Sequence, residues 1–231
     1  MNIQYFEKER IFKIDTKNTS YVMGIIDKEG FLGHMYYGAY VEDYNLRHLL
    51  RVDEYPFTPE RLYRERSNFL DHFCHEYPGN MVGDFRESGI EIEDYKNHNA
   101  VSLFYEAHSI QHGKEGIRGL PATFGVKEDL SDVMTLSITL KDPVNGMKVL
   151  LIYSIFEGLD VIVRRCRIIN SGTNEFRLTK AMSMCLDMPD DDFKMLSLQG
   201  SWARERIPEY RTIGHGKQSV GSVCGKSSAT Q

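Results

Sequence analysis

The sequence predicts a mainly β fold of antiparallel strands, and three observations support this. Residues 135–140 alternate strictly, with Leu136, Ile138 and Leu140 on one face and hydroxyl residues on the other, which is typical of a half-buried strand. The next segment, DPVNG at residues 142–146, combines Pro with Asn-Gly and is a strong turn signal. Further apolar segments follow at a spacing of roughly 12 residues, with turns between them, as in an antiparallel meander.

Each remaining strand is predicted from alternation or from a short apolar run bounded by turn residues. Residues 147–156 are apolar on both faces, which predicts a central strand of a sheet. The turns TKNTS, DKEG, EGLD and SGTNE separate the other segments. The predicted strands are residues 10–14, 21–26, 31–37, 100–110, 135–140, 147–156, 161–169 and 176–186.

Residues 43–87 interrupt this pattern. They are rich in charge, Tyr and His, contain three prolines, and show little alternation of period two. A short helix is predicted near residues 43–50, and the rest is predicted to be a long excursion from the sheet. Long ordered loops of this kind often carry function.

Composition excludes several classes of protein. The 231 residues suffice for one large β domain, and the net charge is -5, with 28 basic and 33 acidic residues. Without a basic excess, nucleic acid is not an expected partner. The N-terminus lacks a signal-peptide core, and no apolar run approaches the roughly 20 residues that span a bilayer, so we expect a cytoplasmic protein without a membrane partner. The four cysteines are widely spaced, which favours free thiols.

Three motifs contain residues that could form a chemical site, but their spacing does not favour a metal, catalytic or phosphate-binding site. HFCHE at residues 72–76 holds three possible metal ligands, but no second cluster completes a zinc set, so no metal is expected. DMPDDDF at residues 187–193 offers four carboxylates without calcium-loop spacing, which favours a solvated turn. GKEGIRGLPATFG at residues 113–125 lacks the spacing of a phosphate loop, and no cofactor is expected.

Three further features leave alternatives open. Arg86 in GDFRESGIEI either makes bidentate hydrogen bonds to a ligand or pairs locally with Asp84. Asp53 lies beside two aromatic residues in the excursion, which suits a contact to sugar hydroxyls, although the residues alone favour an exposed loop acid. The only tryptophan, Trp202 in SWARERIPEYR, suggests a sugar platform or a structural plug, and we favour the plug, with Trp202 filling an apolar seam.

Six stretches together resemble the N-terminal domain of α-galactosidases of glycoside hydrolase family 36. They occur in the family's order and cover nearly the whole chain. The resemblance implies a large antiparallel β-sandwich, a supersandwich, spanning residues 1–231 and incomplete at its C-terminal end, with a catalytic (β/α)8 barrel and a C-terminal β domain in the full enzyme. The stretches are TKNTSYVMGI, GFLGHMYYGAYV, EYPGNMVGDFRESGIEI, GLPATFG, YSIFEGLDVIVRRCRIINSG and LDMPDDDFKMLSLQGSWARERIPEYR.

The resemblance also implies a function. The family cleaves terminal α-galactose from oligosaccharides such as melibiose and raffinose with retention, using two aspartates of the barrel. We therefore expect no catalytic residue in this chain and no hydrolysis by the chain alone. Its partners would be α-galactosides, bound by the full enzyme, and further copies in a tetramer. The family's N-terminal loop reaches a neighbouring active site, and the matching position, in LRVDEYPFTP, is Asp53.

Some positions depart from the family pattern. Ser88 stands where the family often has Pro, YRTI stands in place of RRPL, and SSATQ stands where SHQHNPF usually follows. The last departure leads us to expect a natural fragment, a frameshifted product or a trimmed form. Two alternatives remain: a stand-alone carbohydrate-binding β domain using Tyr55, Phe57 and Tyr63, and an oligomerisation scaffold.

Overall fold

A computed structural model describes residues 1–26, 28, 30–50, 70, 73–81, 83–188 and 192–221. The chain divides into two compact units, Met1–Asp187 and Met188–Gln231. Among the described residues no helix is long and apolar enough to cross a membrane. The described structure is almost entirely antiparallel β, as the sequence predicts.

The first unit begins with a four-stranded antiparallel sheet in which neighbours in sequence are neighbours in space. Strand β3 alone contributes seven consecutive buried residues, because it is covered on both faces. After β4 the predicted helix is reduced to one 3-10 turn, Arg47–Leu49. The strands are β1 Asn2–Phe6, β2 Ile11–Asp15, β3 Thr19–Ile26 and β4 Phe31–Ala39.

A second four-stranded antiparallel sheet follows, again in sequence order. The DPVNG segment forms the predicted turn, in which Asp142 Oδ1 accepts hydrogen bonds from the backbone N–H of Val144 and Asn145 at 2.8 and 3.2 Å. Gly146 closes this turn at φ +76°, a conformation that favours glycine. The strands are β6 Phe104–His112, β7 Val133–Lys141, β8 Met147–Phe156 and β9 Ile162–Asn170.

The two sheets pack face to face around one apolar core. Phe12 and Ile14 of the first sheet belong to the same buried cluster as Leu136, Ile138 and Val149 of the second. Each such side chain contributes about 1.5–3 kcal/mol relative to an exposed one. A two-stranded sheet adds to this unit and pairs β5, Ile90–Asp94, with β10, Phe176–Ala181.

The second unit contains one antiparallel hairpin, β11 Lys194–Ser201 and β12 Arg204–Thr212. Trp202 and Ala203 form its two-residue turn, in which Ala203 has φ +62°. The side chain of Trp202 is 89% exposed, so it fills no apolar seam among the described residues, and a seam with another part of a larger protein stays a prediction. A two-residue hairpin turn projects its side chains outward, which explains this exposure.

Candidate functional site

A buried polar network lies between the two sheets, centred on Glu76. The backbone positions this residue, because the segment around it pairs with β4: the Glu76 N–H donates to the Leu32 carbonyl at 3.0 Å, and the His34 N–H donates to the Cys74 carbonyl at 2.7 Å. An isolated antiparallel bridge joins Gly33 and His75. The side chain of Glu76 is therefore held inside the sandwich, where it is fully buried.

Four side chains converge on this carboxylate. Arg164 Nη2 lies 2.6 Å from Glu76 Oε1, and the Tyr153 hydroxyl donates to the same oxygen at 2.7 Å. The Tyr21 hydroxyl lies 2.7 and 2.8 Å from the two oxygens. His34 Nδ1 lies 3.4 Å from Oε2, a distance that adds electrostatic stabilisation when the imidazole is protonated. A buried carboxylate is tolerated only with such a complement of donors.

Each partner comes from an inward-facing strand position. Tyr153 of β8 and Arg164 of β9 are directly opposite each other in the antiparallel register, and Tyr21 lies in β3 of the facing sheet. The Arg164 guanidinium carbon lies 4.9 Å from the Tyr153 ring centroid and 5.7 Å from that of Tyr21. Its Nη1 also donates to the Cys185 carbonyl at 2.9 Å. The arginine is thus enclosed by rings as well as by acceptors.

Electrostatics fix the charge state of the network. Burial opposes ionisation of Glu76, but the Arg164 guanidinium, His34 and the Tyr153 hydroxyl together outweigh it, so the pKa of Glu76 is lowered from its ordinary value. Burial, together with the charge of Glu76, raises the pKa of Tyr21 and of Tyr153 well above the ordinary value. At neutral pH the network is therefore one ion pair with two neutral phenol donors. The carboxylate is therefore satisfied entirely by buried groups of the protein itself.

A second cluster surrounds Asp84. Arg86 Nε lies 3.3 Å from Asp84 Oδ1, and Arg86 Nη1 lies 3.6 Å from Asp187 Oδ2. The local Asp84–Arg86 arrangement, one of two alternatives left open by the sequence, is therefore confirmed. Burial raises the pKa of Asp84 despite the neighbouring Arg86. Burial also raises the pKa of the Cys185 thiol to about 11, helped by the charge of Asp187, which makes this thiol a poor nucleophile.

The other predicted site residues have different outcomes. Asp53, Tyr55, Phe57 and Tyr63 lie outside the described residues, as do parts of HFCHE and DMPDDDF. Within the described ranges no group of three or more His, Cys, Asp or Glu could hold a metal ion. The thiols that the structure describes are free, as predicted; they are those of Cys74, Cys166 and Cys185.

Neither Glu76 nor Arg164, the two members of the central ion pair, is among the site residues predicted from the sequence. Arg164 could have been found from the sequence, because it lies two residues from Ile162 and from Cys166 in β9. It therefore shares the core-facing side of the strand with these apolar residues and with Ile168. A charged residue on an inward strand position requires a buried partner. No comparable local signal marks Glu76, which lies in an irregular segment.

The fold and the buried network define a structural β-sandwich domain, stabilised by an internal ion pair. The profile of the glycosyl hydrolase family 36 N-terminal domain matches residues 30–231, and the chain belongs to this family. The resemblance seen in the sequence is therefore confirmed.

Named relatives and solved structures agree with this assignment. The bifunctional alpha-galactosidase/sucrose kinase AgaSK of Mediterraneibacter gnavus is 34% identical over 99% of this chain and 24% of its own length. Alpha-galactosidase AgaA of Geobacillus stearothermophilus is 34% identical over the whole chain and 31% of its own length. The crystal structure of AgaB from the same organism superposes with a TM-score of 0.86 and 33% identity, over 96% of this chain and 30% of that one. The chain thus spans about a quarter to a third of these relatives.

Proposed function

We propose that the chain is the N-terminal, non-catalytic domain of an α-galactosidase that hydrolyses terminal α-galactosides of the melibiose and raffinose type with retention. One observation carries the proposal: the family match spans residues 30–231, and the chain corresponds to only about a quarter to a third of the length of AgaSK, AgaA and AgaB. A variant of AgaA was solved in complex with raffinose, and another with stachyose, which supports this substrate class.

The chemistry of the described carboxylates supports a non-catalytic role. Retaining glycosidases place two carboxyl groups about 5–5.5 Å apart on either side of the scissile bond, open to the substrate. Glu76 is enclosed and neutralised by Arg164, and Asp84 is paired with Arg86. These buried acids therefore serve the fold.

Three finer features belong to the same proposal. Residues 1–231 form part of one supersandwich domain, the full protein is a cytoplasmic homotetramer, and Asp53 reaches a neighbouring subunit's active site. The family resemblance supports the tetramer and the role of Asp53. Joining the chain to the remaining two thirds of AgaA allows a test: Asp53→Asn should raise KM for raffinose, whereas Glu157→Gln, at an exposed ion pair, should leave it unchanged.

Calorimetry separates the proposal from the alternative of a stand-alone carbohydrate-binding domain. Raffinose and galactose are titrated into the purified chain. The proposal predicts no binding at millimolar concentrations, because the sugar contacts require the rest of the enzyme. Saturable binding by a monodisperse chain would support the alternative. Sedimentation of the joined protein tests the tetramer, and a monomer would contradict that feature.

A further inference from the structure

The outer face of the second sheet carries a polar groove of about 410 Å³. Strict alternation explains its floor, because the residues that face away from the core are small and hydroxylated on β6 and β7. Ser109 and Ser137 lie opposite each other, and one cross-strand row continues through Ile152 to Arg165. Arg167 occupies the next outward position of β9. Small side chains at one edge and long ones at the other leave a depression.

The loop after β6 crosses this face and brings an acid to the arginines. β6 and β9 are opposite edges of the sheet, yet Glu115 Oε2 lies 3.9 Å from Arg165 Nη2 and 4.0 Å from Arg167 Nη2. Both distances exceed a normal hydrogen bond. Glu115 therefore screens the two guanidinium groups without saturating their donors.

Positive charge is in excess in this groove. The side chain of Arg165 is only 16% exposed, and its buried Nε has no hydrogen-bond acceptor among the described residues. The two arginines face one carboxylate, which leaves one positive charge in the groove of a chain whose net charge is -5. A buried guanidinium donor in such a setting favours an anion.

The residues present fit an oxyanion better than a neutral sugar. Guanidinium groups bind phosphate, sulfate and carboxylate through paired N–H donors, and the hydroxyls of Ser109 and Ser137 can supply further donors. A neutral sugar usually packs on an exposed aromatic face. The one ring among the groove residues, His108, is engaged in the interior, where Nδ1 lies 2.7 Å from the Tyr105 hydroxyl and the ring packs 4.9 Å from that of Phe12.

We propose that this groove is an oxyanion-binding site, in which Arg165 and Arg167 hold a phosphate, sulfate or carboxylate group and Glu115 competes with it. The site is independent of the proposed enzymatic role. It belongs to the described face of one sheet and uses no residue of the buried network.

The test uses two substitutions, Arg165→Gln and Glu115→Gln, that should change the affinity for anions in opposite directions. Inorganic phosphate, sulfate and acetate are titrated separately into the purified chain at constant ionic strength, with melting temperature and heat of binding as readouts. We expect saturable stabilisation, and the order of the three affinities shows whether the groove prefers a phosphate, a sulfate or a carboxylate group. Arg165→Gln should weaken binding about tenfold or more, since a charge-assisted hydrogen bond is lost. Glu115→Gln should strengthen it, because the competing carboxylate is removed.

Two variants keep the outcome decisive. Arg167→Gln changes a half-exposed side chain and should weaken binding without unfolding the chain. Arg177→Gln, which breaks an exposed ion pair between Arg177 of β10 and Glu93 of β5, should leave binding unchanged. Absence of saturation with all three anions, equal weakening in Arg177→Gln, weaker binding in Glu115→Gln, or binding of raffinose in their place would each overturn the proposal.

Discussion

Arg164 and Glu76 form a buried ion pair in which Nη2 lies 2.6 Å from Oε1 and the side chains are 9% and 0% exposed. The pair joins β9 to the irregular segment that follows β4, two parts of the chain far apart in sequence. Tyr21 and Tyr153 complete the carboxylate's hydrogen bonds from both sheets. The ion pair holds the irregular segment inside the sandwich, and five predictions follow from it and from the packing beside it.

Replacing Glu76 by Ala should lower the free energy of unfolding by about 3–5 kcal/mol, because it leaves the Arg164 charge buried and unpaired. Urea denaturation of the purified chain measures this loss. Glu157→Gln, which breaks an exposed ion pair with Lys127, is the matched control and should cost about 1 kcal/mol or less. Similar losses in the two variants would contradict the structural role of Glu76.

The double variant Glu76→Met with Arg164→Met should be less destabilised than the sum of the two single variants. Removing both charges leaves no uncompensated buried ion, and apolar side chains can fill the space. The same urea experiment on all four proteins gives the coupling energy. Additive losses would show that the two side chains act separately.

Tyr153→Phe should lower stability by about 1.5–3 kcal/mol, because the lost hydrogen bond has a charged acceptor. Tyr105→Phe removes a hydrogen bond to the His108 ring, which is neutral when it accepts, and should cost only about 0.5–1.5 kcal/mol. Thermal and urea denaturation compare the two. A larger loss in Tyr105→Phe would contradict the expectation that the hydrogen bond to the charged Glu76 contributes more than the one to His108.

The stability supplied by the ion pair should depend on pH in one direction. The pKa of folded Glu76 is lowered, so its contribution is complete above the unfolded value of about 4.3 and is lost as pH falls through the folded value. The stability difference between the native sequence and Glu76→Gln should therefore shrink as pH falls below about 4.3. A difference that grows as pH falls below about 4.3 would contradict the lowered pKa of Glu76.

Gly79→Ala should destabilise the chain by about 1–3 kcal/mol through overpacking. A Cβ at this position would lie 2.3 Å from the carbonyl oxygen of Val101, and backbone cannot move aside cheaply. Gly116→Ala is the control, since a Cβ there meets no atom within 4 Å. The control should change stability by no more than about 0.5 kcal/mol. Equal effects would mean that segment 78–80 is loosely packed.

Local patterns explain why much of the fold could be predicted from the sequence. Alternation in β7 and the DPVNG turn depend on neighbouring residues, and the structure confirms both. The strand at residues 176–186 was predicted too long and ends at Ala181, because β5, its partner, has only five residues.

The candidate site could not be predicted in the same way. The partners of Glu76 lie 55 and 77 residues away in Tyr21 and Tyr153, so no local spacing brings them together. Its role depends on the packing of two sheets and on a segment without regular structure. The exposure of Trp202 likewise depends on hairpin register, which the residue types alone left open.

Hydrolysis of a chromogenic α-galactoside by the purified chain is the decisive assay of its proposed non-catalytic role. The assay compares the chain with AgaA of Geobacillus stearothermophilus under the same conditions. We expect product release by AgaA and none by the chain above a blank preparation, because the catalytic aspartates are proposed to lie in the remaining two thirds of the enzyme. Turnover that follows the chain through purification and disappears on replacing one of its own carboxylates would contradict it.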